Sequence, residues 1–227
     1  MIDFFAGMRK ARILVPDNTP LSLLAMVGPE ALDCLFATGA EVWVTDMVRH
    51  EALRDPDESG DQRELHRRDI ADWFERNNHR IHEQRTDEGE EYRKAMEAWR
   101  LAGMPKQLKP SWKGRGETSI LQVLDGVEKL VAEGESVVAI IDDRKARAAI
   151  KALEDVDVDL MATQTYLEWL VRRFGIKGAA TAWMTILIAT DKKAPSALDE
   201  DPVHIYCQYQ VNGGSLTRRM RSGMGVL

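Results

Sequence analysis

Short apolar runs and longer amphipathic stretches take turns along this chain. Ile13-Leu14-Val15 stops abruptly at Pro16-Asp17-Asn18, the pattern of a buried strand and its exit turn. Leu21 to Val27 has helical spacing, and Ala31 to Ala37 predicts a second helix ending at Gly39. Val42-Trp43-Val44 is the next buried strand, with Asp46 placed to cap a helix over Met47 to Leu53. A polar loop over 55–63 leads to an amphipathic helix, Glu64 to Arg76, with Leu65, Ile70, Trp73 and Phe74 facing inward. A weak third strand over Arg80 to Gln84 and a helix over Asp87 to Leu101 follow.

Gly103 to Gly116 is a loop rich in proline, lysine and glycine. Beyond it, Glu117 to Ala132 carries the stripe Ile120, Leu121, Leu124, Val127 and Val131 of an amphipathic helix. Val137 to Ile141 has the clearest strand pattern in the chain and ends at Asp142-Asp143. A helix over Arg144 to Leu153, a strand over Asp159 to Ala162, and helices over Tyr166 to Phe174 and Lys177 to Ala189 complete the pattern. Buried strands alternating with helices predict an α/β fold: three layers, α/β/α, with a central, mostly parallel sheet. That domain spans 1–190, and the polar stretch 191–227, with Arg218, Arg219 and Arg221, is a C-terminal extension of unknown role.

Composition narrows the classes of function. With 44% hydrophobic residues among 227, the chain has the material for a sizeable core. Its net charge of −6 argues against a protein that coats nucleic acid non-specifically, yet leaves room for a local basic surface. Cys34 and Cys207 are too few for a disulfide framework, so a reducing compartment is expected. Met1 to Lys10 lacks the pattern of a signal peptide, and Ala179 to Ala189 is too short and too broken by threonine to span a bilayer. The expectation is a cytoplasmic protein with no membrane partner.

Several carboxylates stand where a core would not put them. Asp17 and the pair Asp142-Asp143 directly follow apolar strands, and ligands bind beyond the carboxyl ends of the strands in open parallel sheets. Glu117 lies on the face of Ile120, Leu121 and Leu124, and Glu51 is one turn after Val48. Carboxylates gathered in a partly dry crevice repel one another unless a cation compensates. Magnesium and manganese favour oxygen ligands and tolerate incomplete protein cages, and such ions drive in-line displacement at phosphorus. Each acid also has a plainer reading: a turn residue for Asp17, a helix cap for Asp142 or Asp143, a first-turn acid for Glu117, a solvated face for Glu51.

These residues stand in ILVPDNTPLSLL (13–24), EVWVTDMVRHEALR (41–54), GRGETSILQVL (114–124) and VVAIIDDRKAR (137–147), followed by ATQTYLEWLV (162–171). In order and setting the segments resemble the PIN-domain family of metal-dependent ribonucleases, many of them toxins of toxin–antitoxin pairs. The resemblance covers about 13–189. It implies an acidic quartet at Asp17, Glu51, Glu117 and Asp143, with Asp142 as a further metal ligand, and Mg²⁺ or Mn²⁺ as cofactor. It also implies RNA as substrate, and a partner antitoxin or a homodimer as assembly. Asn18 takes the place of the small polar residue beside the first acid, and Thr163 that of the threonine near the site. Pro16 before Asp17, Ile141 in place of Thr or Ser, and Glu117 in place of the commoner Asp are departures from the family pattern.

The loop Lys106, Lys109, Lys113, Arg115, with Trp112 between, offers phosphate contacts and a stacking ring, unless it is simply solvated. Lys113, Arg115 and Arg144 are the expected substrate contacts beside Asn18 and Thr163. His79-x-x-His82 and His204-x-x-Cys207 do not make a zinc site from two distant halves. Asp17-Asn18-Thr19 lacks the Asp-x-Asp of an aspartyl-phosphate phosphatase. Two expectations remain: a metal-dependent endoribonuclease, or a PIN-like RNA- or protein-binding module without turnover.

Overall fold

The computed structural model describes residues 9–55, 63–152 and 157–190. The loop over 56–62, His204, Cys207 and the extension from 191 with its arginines lie outside them. Five strands form one sheet: β1 (Lys10–Pro16), β2 (Glu41–Thr45), β3 (Ile81–Gln84), β4 (Glu135–Ile140) and β5 (Val158–Met161). Their order is β3-β2-β1-β4-β5, and every pair is parallel. The sheet is thus parallel throughout the described residues, flanked by helices in the expected three layers.

Burial explains the strands. Val137 to Ile140 and Ile13 to Pro16 are buried at every position, as central strands covered on both faces must be. The helices are α1 (Asn18–Val27), α2 (Asp46–Leu53), α3 (Arg63–Arg76), α4 (Asp87–Leu101), α5 (Arg115–Val127), α6 (Arg144–Lys151), α7 (Thr163–Phe174) and α8 (Lys177–Ala189). Helix α1 packs on α3 and α8, while α5 packs on α2 and α4. No helix among the described residues is long and apolar enough to cross a membrane.

Some local expectations are corrected. Residues Pro29–Phe36 form a 3-10 stretch instead of an α-helix. Helix α5 begins at Arg115, inside the expected loop, and gives way to a 3-10 turn at Glu128–Leu130. Leu65 points outward, 64% exposed, whereas Ile70, Trp73 and Phe74 are buried as expected. Thr45, not Asp46, caps α2: its Oγ1 accepts the amide of Val48 at 3.1 Å.

Strand order creates the crevice. From β1 the chain moves to β2 and β3 on one side, then crosses back to lay β4 and β5 on the other. The reversal point lies between β1 and β4, where an open α/β sheet leaves a gap at its carboxyl edge. The last rung there pairs Pro16 with Ile140, and Asp17 N donates to Ile140 O at 2.9 Å. Asp17 and Asp142 therefore leave the sheet at the same edge, on either side of that gap.

Candidate functional site

Asp17 forms the floor of the site. It is buried, 6% exposed, at the N-cap of α1, but its carboxylate makes no side-chain cap to that helix. Burial pushes its pKa up to about 7, and the nearby charges of Glu51, Glu117 and Asp142 push the same way against the Asn18 backbone amide. The turn role alone does not explain an acid so placed. Three other acids, from α2, α5 and the end of β4, act on it.

Glu51 is half-buried, and burial raises its pKa, with Glu117 raising it further. The Asn18 amide, donating Nδ2 to Glu51 Oε1 at 3.1 Å, and the charge of Arg54 partly offset this. Ser22 in turn donates to Asn18 Oδ1 at 3.4 Å. Asn18 is thus a holder of Glu51. Its i, i+3 spacing from Val48 puts Glu51 next to a buried side chain on α2, facing α5.

Helix α5 is fixed by hydroxyls. Thr45 and Ser119 share a buried hydrogen bond of 2.7 Å, and Ser119 Oγ lies 2.7 Å from Gly116 O. This seats Gly116 against α2, where a Cβ would come within 2.9 Å of Glu51 Oε2. Glu117, the next residue, is exposed at the rim.

The adjacent acids Asp142 and Asp143 part company. Asp143 is exposed and caps α6, its Oδ1 accepting from Lys145 N at 2.7 Å and Ala146 N at 2.9 Å. Those backbone donors, Ala146 first, hold its pKa low. Asp142 is half-buried and is the member of the pair whose charge bears on Asp17. Of the two acids at the end of β4, Asp143 is thus engaged as the cap of α6, while the charge of Asp142 bears on Asp17.

Of the expected substrate contacts, two are engaged elsewhere. Thr163 is fully buried and donates to Asp142 through both its amide, at 3.2 Å, and its hydroxyl, at 2.5 Å. It positions an acid and offers no surface to a substrate. Arg115 pairs with Glu88 and donates Nε to Ser111 O at 2.8 Å, so it braces the loop before α5. Lys113 and Arg144 are exposed. Arg147 closes the end of β4 by donating to Ile141 O at 2.8 Å and Asp142 O at 3.3 Å.

A cleft of about 110 Å³ opens beside Glu51, between α2, α3 and the loop before α5. Arg54, His66, Arg67 and Trp112 line it together with Asn18 and Glu51. Arg54, His66 and Arg67 escape sequence reasoning because their link to Trp112 runs between distant segments with no period to announce it. The spacing of Arg54 three residues after Glu51 was the one available signal.

The donor set is all oxygen, and its mutual repulsion is the electrostatic condition a divalent cation relieves. As the side chains lie, no group of three or more His, Cys, Asp or Glu among the described residues stands ready to hold a metal ion. The chemistry of the acids fits a hard cation; their side chains are not drawn together into a closed cage. No family model matches this chain, and no similar protein was found among curated sequences or solved structures.

Proposed function

We propose that the chain is a Mg²⁺- or Mn²⁺-dependent endoribonuclease of the PIN type, with Asp17, Glu51, Glu117 and Asp142 as metal ligands. One observation carries the reading: Asp17, buried at the reversal point of the sheet, is pushed up to about 7 with three other acids bearing on it. Such an arrangement costs stability without a cation, and this favours a binding role over a structural one. The motif order shared with PIN domains supplies the reaction class and the toxin reading.

A bound divalent ion would polarise a phosphoryl oxygen and lower the pKa of a bound water. The chain's own residues set the stage for that chemistry. Asp17 is the buried anchor, Asn18 aims Glu51, and Thr163 fixes both oxygens of Asp142. Glu51 and Glu117 have long side chains, and rotation about their torsions is what closing on an ion requires.

The second reading is a PIN-like binding module without turnover. Purified protein incubated with RNA, with and without Mg²⁺ or Mn²⁺, separates the two. Metal-dependent cleavage that is lost in Asp17→Asn supports the nuclease. Equal cleavage by wild type and Asp17→Asn removes it, and divalent binding without cleavage favours the module.

A further inference from the structure

The cleft beside Glu51 has an unlike lining. Asn18 and Glu51 share it with Arg54, His66 and Arg67. The Arg54 guanidinium lies over the Trp112 ring, 3.9 Å from its centroid. A planar cation stacked in this way is held flat while its N–H edges stay directed along the plane, the fork that phosphate oxygens match. Arg67 is 33% exposed and pairs at 3.3 Å with Asp55, which is itself 89% exposed, so water screens that pair strongly. At about 110 Å³ the cleft suits a piece of one strand, not a duplex.

We propose that this cleft is a phosphate subsite for single-stranded RNA, in which Arg54, held flat by Trp112, and Arg67 grip the backbone beside the phosphodiester presented to the carboxylates. The assignment rests on the nuclease reading for its substrate. Arg54 and Arg67 bind the phosphate, and Trp112 is a positioning residue that acts through Arg54. The acids repel the strand, and the subsite supplies the attraction that keeps it over them.

The test is binding without turnover: fluorescence anisotropy of a labelled short single-stranded RNA in EDTA, across a salt series. Arg54→Ala and Arg67→Ala should each weaken binding about tenfold and flatten the salt dependence by about one phosphate's worth. Trp112→Leu should weaken it as Arg54→Ala does, while Trp112→Tyr, which keeps a stacking ring, should restore it. Arg54→Gln and Arg67→Gln, checked by thermal melting, replace the alanine variant at the same position where it fails to fold. Unchanged affinity in the arginine variants, equal affinity for duplex RNA, or no binding by wild type overturns the subsite. RNA that binds with these dependences but is not cut when metal is added overturns the nuclease reading alone. Cleavage that is indifferent to Arg54 and Arg67 overturns the subsite alone.

Discussion

Gly116 on α5 faces Glu51 on α2 so closely that a Cβ at position 116 would stand 2.9 Å from Glu51 Oε2. The atom in the way is the tip of a flexible side chain, so Glu51 and not the backbone would give ground. Gly116→Ala should therefore leave the melting temperature unchanged or raise it, since alanine favours a helix by up to about 1 kcal/mol over glycine. Divalent-metal affinity should fall about tenfold, the usual cost of disturbing a ligand's setting. Calorimetric titration beside a thermal melt reads both. A variant that binds metal like wild type would show that Glu51 is no ligand.

Asp17 makes stability depend on pH with a definite sign. Its folded pKa, about 7, lies above the ordinary value of 3.8, so between those limits the folded chain holds a proton that the unfolded chain releases. Stability from this group is full below about pH 4 and declines as pH rises through about 7. The loss is on the order of 4 kcal/mol. Without metal, Asp17→Asn should thus be more stable than wild type at pH 8, and the difference should shrink toward pH 4. Saturating Mn²⁺ should stabilise wild type and not the variant. Denaturant melts across the pH series check this; a difference constant with pH would place Asp17 in contact with water.

The alternation of Ile13 to Val15, Val42 to Val44 and Val137 to Ile141 with amphipathic stretches was enough to read a layered parallel sheet. Strand order was not legible, because the crossing from β3 back to β4 depends on which helix faces pack, and every connection here is long. The positions of Asp17, Glu51 and Glu117 were legible from strand ends and helical spacing. The division of labour between Asp142 and Asp143 was not: consecutive residues after a strand look alike until the backbone turns one of them into the cap of α6. The partners of Thr163 and Arg115 were not legible, since their hydrogen bonds to Asp142 and Glu88 join segments far apart in sequence.

Gly89 provides a control away from the acids. Asp46 accepts from Met47 N at 3.0 Å, Thr86 Oγ1 at 2.8 Å and Thr86 N at 3.3 Å, and Thr86 caps α4 through Gly89 N at 3.1 Å. A Cβ at Gly89 would fall 2.0 Å from Asp46 Oδ2, inside a carboxylate held by three donors. Unlike Glu51, Asp46 has nowhere to go without breaking the cap. Gly89→Ala should destabilise by about 1–3 kcal/mol, the usual cost of overpacking, and leave metal affinity of the folded fraction unchanged. A stable Gly89→Ala variant would disprove the tie between the start of α2 and α4.

The contrast between Asp142 and Asp143 gives the sharpest test of the site. Asparagine caps a helix about as well as aspartate, so Asp143→Asn should keep both stability and any metal-dependent cleavage. Asp143→Ala removes the acceptor for Lys145 N and Ala146 N and should cost about 1 kcal/mol, again without touching cleavage. Asp142→Asn keeps its shape and can still accept from Thr163, but takes a negative charge away from Asp17. The Asp17 pKa should then fall slightly, since burial is the larger cause of its rise, while metal affinity and cleavage drop together because a ligand charge has gone. Titration of Asp17 by carboxyl NMR, run beside RNA cleavage in Mn²⁺, reads the two effects separately. If Asp143→Asn proves to be the variant that loses cleavage and shifts Asp17, the cap assignment is wrong and the quartet reverts to Asp143.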